Sequence, residues 1–196
     1  DLRNHSESPH SKVHNHEAMA EDVVTFMNEH QLKKTNLMGH SMGGKVAMTM
    51  ALRQVSQIDQ LVVVDSAPTN TDLSKEFYTY TEVMKKVEQT GVMKHSQADE
   101  MMKDYISDIN IRQFLLTNLK KDPETGVYKF RIPLDILSNS LETLSGFPFD
   151  SAHHSFHKAT LFVAGTKSNY ITSKVHPTIR KFFPNSVIVE LDAGHW

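Results

Sequence analysis

The sequence predicts an α/β protein built on a mostly parallel, doubly wound sheet, with a long helical insertion between two of its strands. Three observations carry that prediction. LVVVD (residues 61–65), ATLFVAG (159–165) and SVIVEL (186–191) are unbroken apolar runs rich in β-branched residues, as expected of parallel strands covered on both faces. Helix-period segments lie between core strands, and strands alternating with helices favour a doubly wound sheet. Residues 68–155 interrupt this rhythm with helical patterns and no strand that the sequence identifies.

Taken in order, EAMAEDVVTFMNEH (17–30) spaces Met19, Val23, Phe26, Met27 and His30 three and four residues apart, which predicts an amphipathic helix. A short strand is expected at 35–38. In GHSMGGKVAMTMALRQV, Val46, Ala47, Met50, Ala51 and Val55 keep the helical period, predicting a helix that runs to about Gln57. The insertion contains SKEFYTYTEVMKKVEQT and HSQADEMMKDYI as helical stretches and DPETG as a turn. TSKVHPTIRKFF supplies the crossover helix before the last strand. The expected organisation is a first core segment at 1–67, a helical lid at 68–155 and a second core segment at 156–196.

Composition narrows the function classes. With 21 Lys+Arg against 23 Asp+Glu in 196 residues, no charge excess points to nucleic acid, and a small or specific partner is expected. The absence of cysteine excludes a disulfide framework and cysteine-based zinc or redox chemistry. No apolar run approaches the roughly 20 residues of a bilayer span, so no stable membrane insertion is expected. The first residues carry neither a signal-peptide core nor an Arg-rich transit segment, although a chain lacking its beginning would also lack its address.

The chemistry-bearing stretch is Gly39-His40-Ser41-Met42-Gly43, a G-x-S-x-G between a predicted strand and a predicted helix. That context defines a nucleophile elbow, in which serine sits on a strained strand-to-helix turn and the flanking Gly39 and Gly43 keep side chains off the crowded backbone. The helix N-terminus also favours developing negative charge, and the backbone N–H of Met42 is the first oxyanion donor. A serine hydroxyl is a poor nucleophile until a histidine takes its proton and a carboxylate holds that histidine in the right tautomer. His195, reached from the last strand through Asp192-Ala193-Gly194, suits the base.

The acid emerges by elimination. GTKSNYITSK, which follows the strand that resumes the core, has no carboxylate, and neither does any residue from 151 to 189. Glu190 falls within the last strand and Asp192 is too close to His195. Asp65, at the carboxyl end of LVVVD, stands at the sheet edge where α/β sites assemble. Ser168 occupies the place of the missing acid and is an auxiliary candidate for a hydrogen bond to the His195–Asp65 pair. His10, His14 and His16, and His153, His154 and His157, lack the carboxylate pattern of a metal site, so no metal and no cofactor is expected.

DLRNHSESPH, GHSMGGKVAM, VVVDSAP, LFVAGTKSNYI and LDAGHW, in that order, resemble the α/β-hydrolase serine esterases that include YbfF-type enzymes, related mitochondrial hydrolases and fungal ethanol acetyltransferases. The resemblance implies an α/β-hydrolase fold with a helical lid, a Ser41-Asp65-His195 triad and an acyl-serine intermediate. It also implies a mitochondrial location and, in the fungal branch, transfer of an acetyl group from acetyl-CoA to ethanol. The chain departs from the pattern at Ser6, where these enzymes usually carry glycine. It also looks truncated at both ends, because the family begins with further strands and a second oxyanion loop and continues past G-H-W into a final helix.

The expected activity is hydrolysis of short acyl esters or thioesters, acyl-CoA included. Its close alternative is an alcohol O-acetyltransferase making ethyl acetate, and a further one is a non-catalytic hydrolase fold kept for binding. The sequence leaves acyl length and oligomeric state open.

Overall fold

The computed structural model describes residues 1–71 and 75–195, and the side chain of Lys75 is not among the described groups. Ser74, which begins one predicted helical stretch, and Trp196, the last residue of LDAGHW, lie outside them. In chain order the elements are α1 (His16–Glu29), β1 (Thr35–His40), α2 (Met42–Leu52), β2 (Ile58–Val64), α3 (Lys75–Thr90), α4 (His95–Lys103) and α5 (Ile109–Leu116). There follow β3 (Leu119–Lys121), β4 (Tyr128–Phe130), α6 (Leu134–Ser145), β5 (Thr160–Gly165), a 3-10 turn (Ser173–Val175), α7 (His176–Phe182) and β6 (Ser186–Leu191). The described residues form two compact units, 15–71 with 143–195, and 1–14 with 75–142.

The first unit holds a four-stranded sheet in the order β1-β2-β5-β6, parallel throughout. Central position explains the unbroken hydrophobic runs of β2 and β5: Ile58, Leu61, Val63, Phe162 and Ala164 are buried. β6 forms as predicted but is not covered on both faces. It is the last strand in the order, and Val187, Val189 and Leu191 are exposed. Periodicity reports strand formation, whereas burial depends on neighbours that a single strand cannot reveal.

Helix α1 starts where Asn15 Oδ1 accepts the Ala18 N–H at 2.8 Å, a side-chain cap for an otherwise unsatisfied donor. It turns Met19, Ala20 and Met27 inward. In α2 every residue from Gly44 to Leu52 is buried. This helix stops at Leu52, five residues before the predicted end, because Gln54 adopts φ 58° and Val55 N–H turns back to Met50 O. β2 can therefore begin at Ile58, earlier than its most apolar stretch implies.

Lys45 is buried within α2. Its ammonium hydrogen-bonds the Thr69 carbonyl and lies 5.2 Å from the Phe147 ring centroid, an ammonium over an aromatic face. Burial pulls its pKa down to about 8. Nearby, Thr71 N–H donates to Ser145 O at 2.8 Å and Phe147 N–H to Asn70 Oδ1 at 2.8 Å, tying the loop after β2 to the end of α6 and the segment that follows it.

The second unit packs Val83, Val87, Met102, Leu116 and Phe130 into its own core. Arg112, buried among α4 and α5, has its charge met by Asp99 at 3.0 Å and by the Ile106 and Ser107 carbonyls at 2.8 and 2.9 Å. Within the stretch read as mostly helical, β3 and β4 form an antiparallel hairpin that the sequence does not identify. Three-residue strands are too short to display a period of two, which is why the sequence hides them. DPETG closes the hairpin: Asp122 Oδ1 accepts from Glu124 and Thr125 N–H, each at 2.9 Å, and Gly126 takes φ 73°. No helix among the described residues is long and apolar enough to cross a membrane.

Residues 1–14 fold as a compact loop around Asn4, which is fully buried. Its Oδ1 accepts Ser11 N–H at 2.8 Å, and its Nδ2 donates to Ser11 O at 3.0 Å and to His14 Nδ1 at 3.2 Å. Burial, then His5 and Arg3, lower the His14 pKa to about 4, which keeps Nδ1 available as an acceptor. Ser6 sits at φ 51°, the left-handed region that favours glycine. The family pattern at this position thus has a backbone cause, and the serine carries the strain. Ser6→Gly is expected to raise stability by about 0.5–1 kcal/mol. A urea midpoint that is unchanged or lower would count against that strain.

Candidate active site

Parallel strands ending at one edge bring three loops together. β1 pairs His40 with Val64, so the residues that follow these strands, Ser41 and Asp65, leave the sheet side by side. Ser41 takes φ 53° and ψ −119°, a strained turn at a residue other than glycine, and α2 starts at Met42. The turn is held because Ser41 N–H donates to Val64 O at 3.0 Å. Met42 N–H lies in the first turn of α2, where backbone donors have no intrahelical acceptor.

The glycines of the motif do not share one role. A Cβ on Gly39 would lie 2.1 Å from Gly43 O, so no other residue fits without moving backbone. A Cβ on Gly43 would meet nothing within 4 Å, which corrects the expectation that both flanking glycines relieve crowding. The second tight position is Gly44, where a Cβ would come 2.8 Å from Ser66 Cβ.

Asp65 follows β2 at φ 46°, with its N–H donating to Val163 O at 2.8 Å. Its side chain is buried and its charge is met from three directions. Gly165 N–H donates to Oδ1 at 3.2 Å, and Ser168 Oγ and His195 Nδ1 donate to Oδ2 at 2.6 and 2.7 Å. His195 Nε2 then accepts the Ser41 hydroxyl at 2.9 Å. The bond from Nδ1 to the carboxylate selects the tautomer whose Nε2 lone pair faces Ser41.

His195 is delivered by the loop after β6. Ala193 N–H turns back to Leu191 O at 2.8 Å, and Lys167 N–H donates to Ala193 O at 3.0 Å. Gly165 permits this approach, since a Cβ there would stand 2.6 Å from Ala193 O. The other two carboxylates weighed from sequence stand elsewhere: Glu190 is exposed within β6, and Asp192 is an exposed partner of Lys167 at 2.9 Å.

Two rings flank the His195 imidazole. Tyr170 stacks on it at 4.2 Å between centroids and 28° between planes. His40 lies at 4.8 Å and 36°, its Nε2 donating to the His195 carbonyl at 3.0 Å. Neither was singled out from the sequence, although both lie inside quoted motifs. Their positions relative to Gly-x-Ser-x-Gly and to Ser168 were the available signal, but stacking depends on loop conformation.

The histidine clusters disperse. His10 Nε2 bonds to Arg131 O, His14 to Asn4, His154 Nδ1 to Asp150 O and His157 Nε2 to Ser155 Oγ. Among the described residues no three His, Cys, Asp or Glu side chains gather as a metal site would need.

Residues 1–196 match the family model described as alpha/beta hydrolase fold, and the chain belongs to that family. An abhydrolase domain-containing protein of Schizosaccharomyces pombe is 39% identical over all of this chain and 73% of its own length. An sn-1-specific diacylglycerol lipase of Danio rerio is 41% identical and a probable alcohol acetyltransferase of Saccharomyces cerevisiae 38% identical; each is matched by the whole chain, over 62% of its own length. The chain thus spans somewhat under two thirds of those two relatives. A solved structure titled as a marine microorganism esterase superposes with a TM-score of 0.93 at 30% identity, covering all of this chain and 76% of that one.

Gly39→Ala is expected to displace the Gly43–Gly44 backbone and lower Ser41 reactivity toward an organophosphonate by at least about 100-fold, since misplacement by about 1 Å costs that much. Gly43→Ala is expected to react within about 3-fold of the parent on the same scale. Comparable losses in both variants would contradict the steric account of the elbow.

Proposed function

We propose that this chain carries the acyl-transfer site of a serine hydrolase acting on acyl esters or thioesters. The observation that carries the reading is the continuous hydrogen-bonded path Ser41 Oγ to His195 Nε2, and His195 Nδ1 to Asp65 Oδ2, at 2.9 and 2.7 Å. Ser41 Oγ attacks the acyl carbonyl carbon while His195 Nε2 takes its proton. The oxyanion that forms is met by Met42 N–H and the α2 N-terminus, and Asp65 stabilises the imidazolium. His195 returns the proton to the departing alcohol or thiol, leaving an acyl-serine. Water, deprotonated by His195, then releases the acid and restores Ser41.

Ser168 acts as an auxiliary by donating to the same carboxylate oxygen as His195, which holds the Asp65 carboxylate in orientation. Residues 68–155 serve as a lid over the acyl chain, and the protein works in mitochondria, as the family resemblance implies. The substrate is a small acyl ester or acyl-CoA; the diacylglycerol lipase relatives bring lipid esters within the same chemistry.

Alcohol acetyl transfer is the second reading, favoured by relatives named as alcohol or ethanol acetyltransferases. It uses the same acyl-serine with ethanol in place of water. The two differ only in which nucleophile reaches the acyl carbon.

A fluorophosphonate probe is expected to modify Ser41 alone, read by peptide mass spectrometry, with no labelling after Ser41→Ala. His195→Gln is expected to slow labelling by about 1,000-fold or more. Labelling elsewhere, or labelling indifferent to these substitutions, would falsify the triad and favour a non-catalytic binding role. With acetyl-CoA as donor and rising ethanol, the hydrolase reading expects acetate to remain the main product. Ethyl acetate as the main product at millimolar ethanol would establish transfer instead.

A further inference from the structure

The loop after β5 contains no carboxylate, yet it touches both partners of Ser41. Gly165, the last residue of β5, and Ser168 within the loop donate to the two oxygens of Asp65. Ser168 Oγ also accepts Tyr170 N–H at 3.2 Å, so the contact to the acid fixes the backbone from which the tyrosine ring leaves. The next side chain, Ile171, is buried and anchors the loop. The phenol ring is thereby set face to face with the His195 imidazole.

We infer that Tyr170 is a positioning residue for His195: its ring holds the imidazole plane in line with Ser41 and Asp65, and its π face stabilises the imidazolium formed during acyl transfer. The inference rests on the triad proposed above. Imidazole can pivot about its bond to Asp65, and a hydrogen bond in the ring plane does little to oppose that rotation. A stacked ring does oppose it, because tilting the imidazole would drive one edge into the phenol.

The electrostatic part follows from the aromatic quadrupole. A cation facing the ring is attracted to its negative face, and the attraction grows when water is excluded. His195 is neutral before attack and cationic after taking the Ser41 proton, so the attraction strengthens as the reaction proceeds. An interaction that strengthens in this way raises kcat and leaves substrate binding nearly unchanged. His40, the other ring near His195, plays a different part, since its Nε2 bond goes to the His195 carbonyl and restrains backbone.

The test is a Tyr170 series in the full chain, with Ser41→Ala alongside. Tyr170→Phe and Tyr170→Trp keep a π face, whereas Tyr170→Leu and Tyr170→Gln keep bulk without one. The expected result is a loss in kcat of about 5- to 30-fold for Leu and Gln, with KM and the activity of Phe and Trp within about 2-fold of the parent. Phosphonylation of Ser41 should slow by the same factor, and the downfield proton resonance of the imidazole Nδ1–H should broaden in Leu and Gln only. Thermal melting shows whether each variant is folded, and Gln replaces Leu in the comparison should Leu unfold.

Unchanged kcat in folded Leu and Gln variants overturns the inference while leaving the triad intact. Equal losses in Phe and Leu also overturn it, because they would assign the effect to the phenol hydroxyl. A parent protein whose Ser41 is not labelled, or whose labelling survives Ser41→Ala, overturns the triad and this inference together.

Discussion

A carboxylate taken out of water needs donors for its lone pairs, and Asp65 collects them from two loops that follow different strands. Gly165 N–H comes from the end of β5, Ser168 Oγ from the loop that follows it, and His195 Nδ1 from the loop after β6. Without any one of them the buried charge would be short of a partner, and the loop it came from would lose a tether. The carboxylate is therefore a fixed point around which the surrounding loops arrange themselves. Ser41 depends on it at one remove, through the tautomer and orientation of His195.

Backbone strain and glycine placement make that arrangement possible. Ser41 and Asp65 both take positive φ directly after adjacent parallel strands, which turns both side chains out of the sheet at the same level. Gly39 and Gly165 are the points where two backbones come too close for a side chain. Each strained residue is held by a strand-edge hydrogen bond, Ser41 N–H to Val64 O and Asp65 N–H to Val163 O, so the sheet ladder supplies the stabilisation that offsets the strain.

Much of this was legible in the sequence because it rests on local signals. Apolar runs reported β2, β5 and β6, the three- and four-residue period reported α1, and G-x-S-x-G placed Ser41. Asp65 was the carboxylate left as candidate by the absence of acidic residues after β5, and its Oδ2 lies 2.7 Å from His195 Nδ1. What stayed hidden depends on distant neighbours or on very short elements. The β3–β4 hairpin is too brief to show alternation, the exposure of β6 reflects its place in the strand order, and the Tyr170 stack depends on a loop fold that spacing does not encode. Ser6 is intermediate: the sequence showed that it departs from glycine, but only its φ of 51° gives the reason.

The order of the strands along the chain has a bearing on how the site comes into being. Ser41 and Asp65 follow β1 and β2, a neighbouring pair that can form early from nearby parts of the chain. His195 stands on the loop after β6, which pairs with β5. The hydrogen bond from Ser41 to His195 therefore joins positions 154 residues apart, and its geometry depends on β6 being paired with β5.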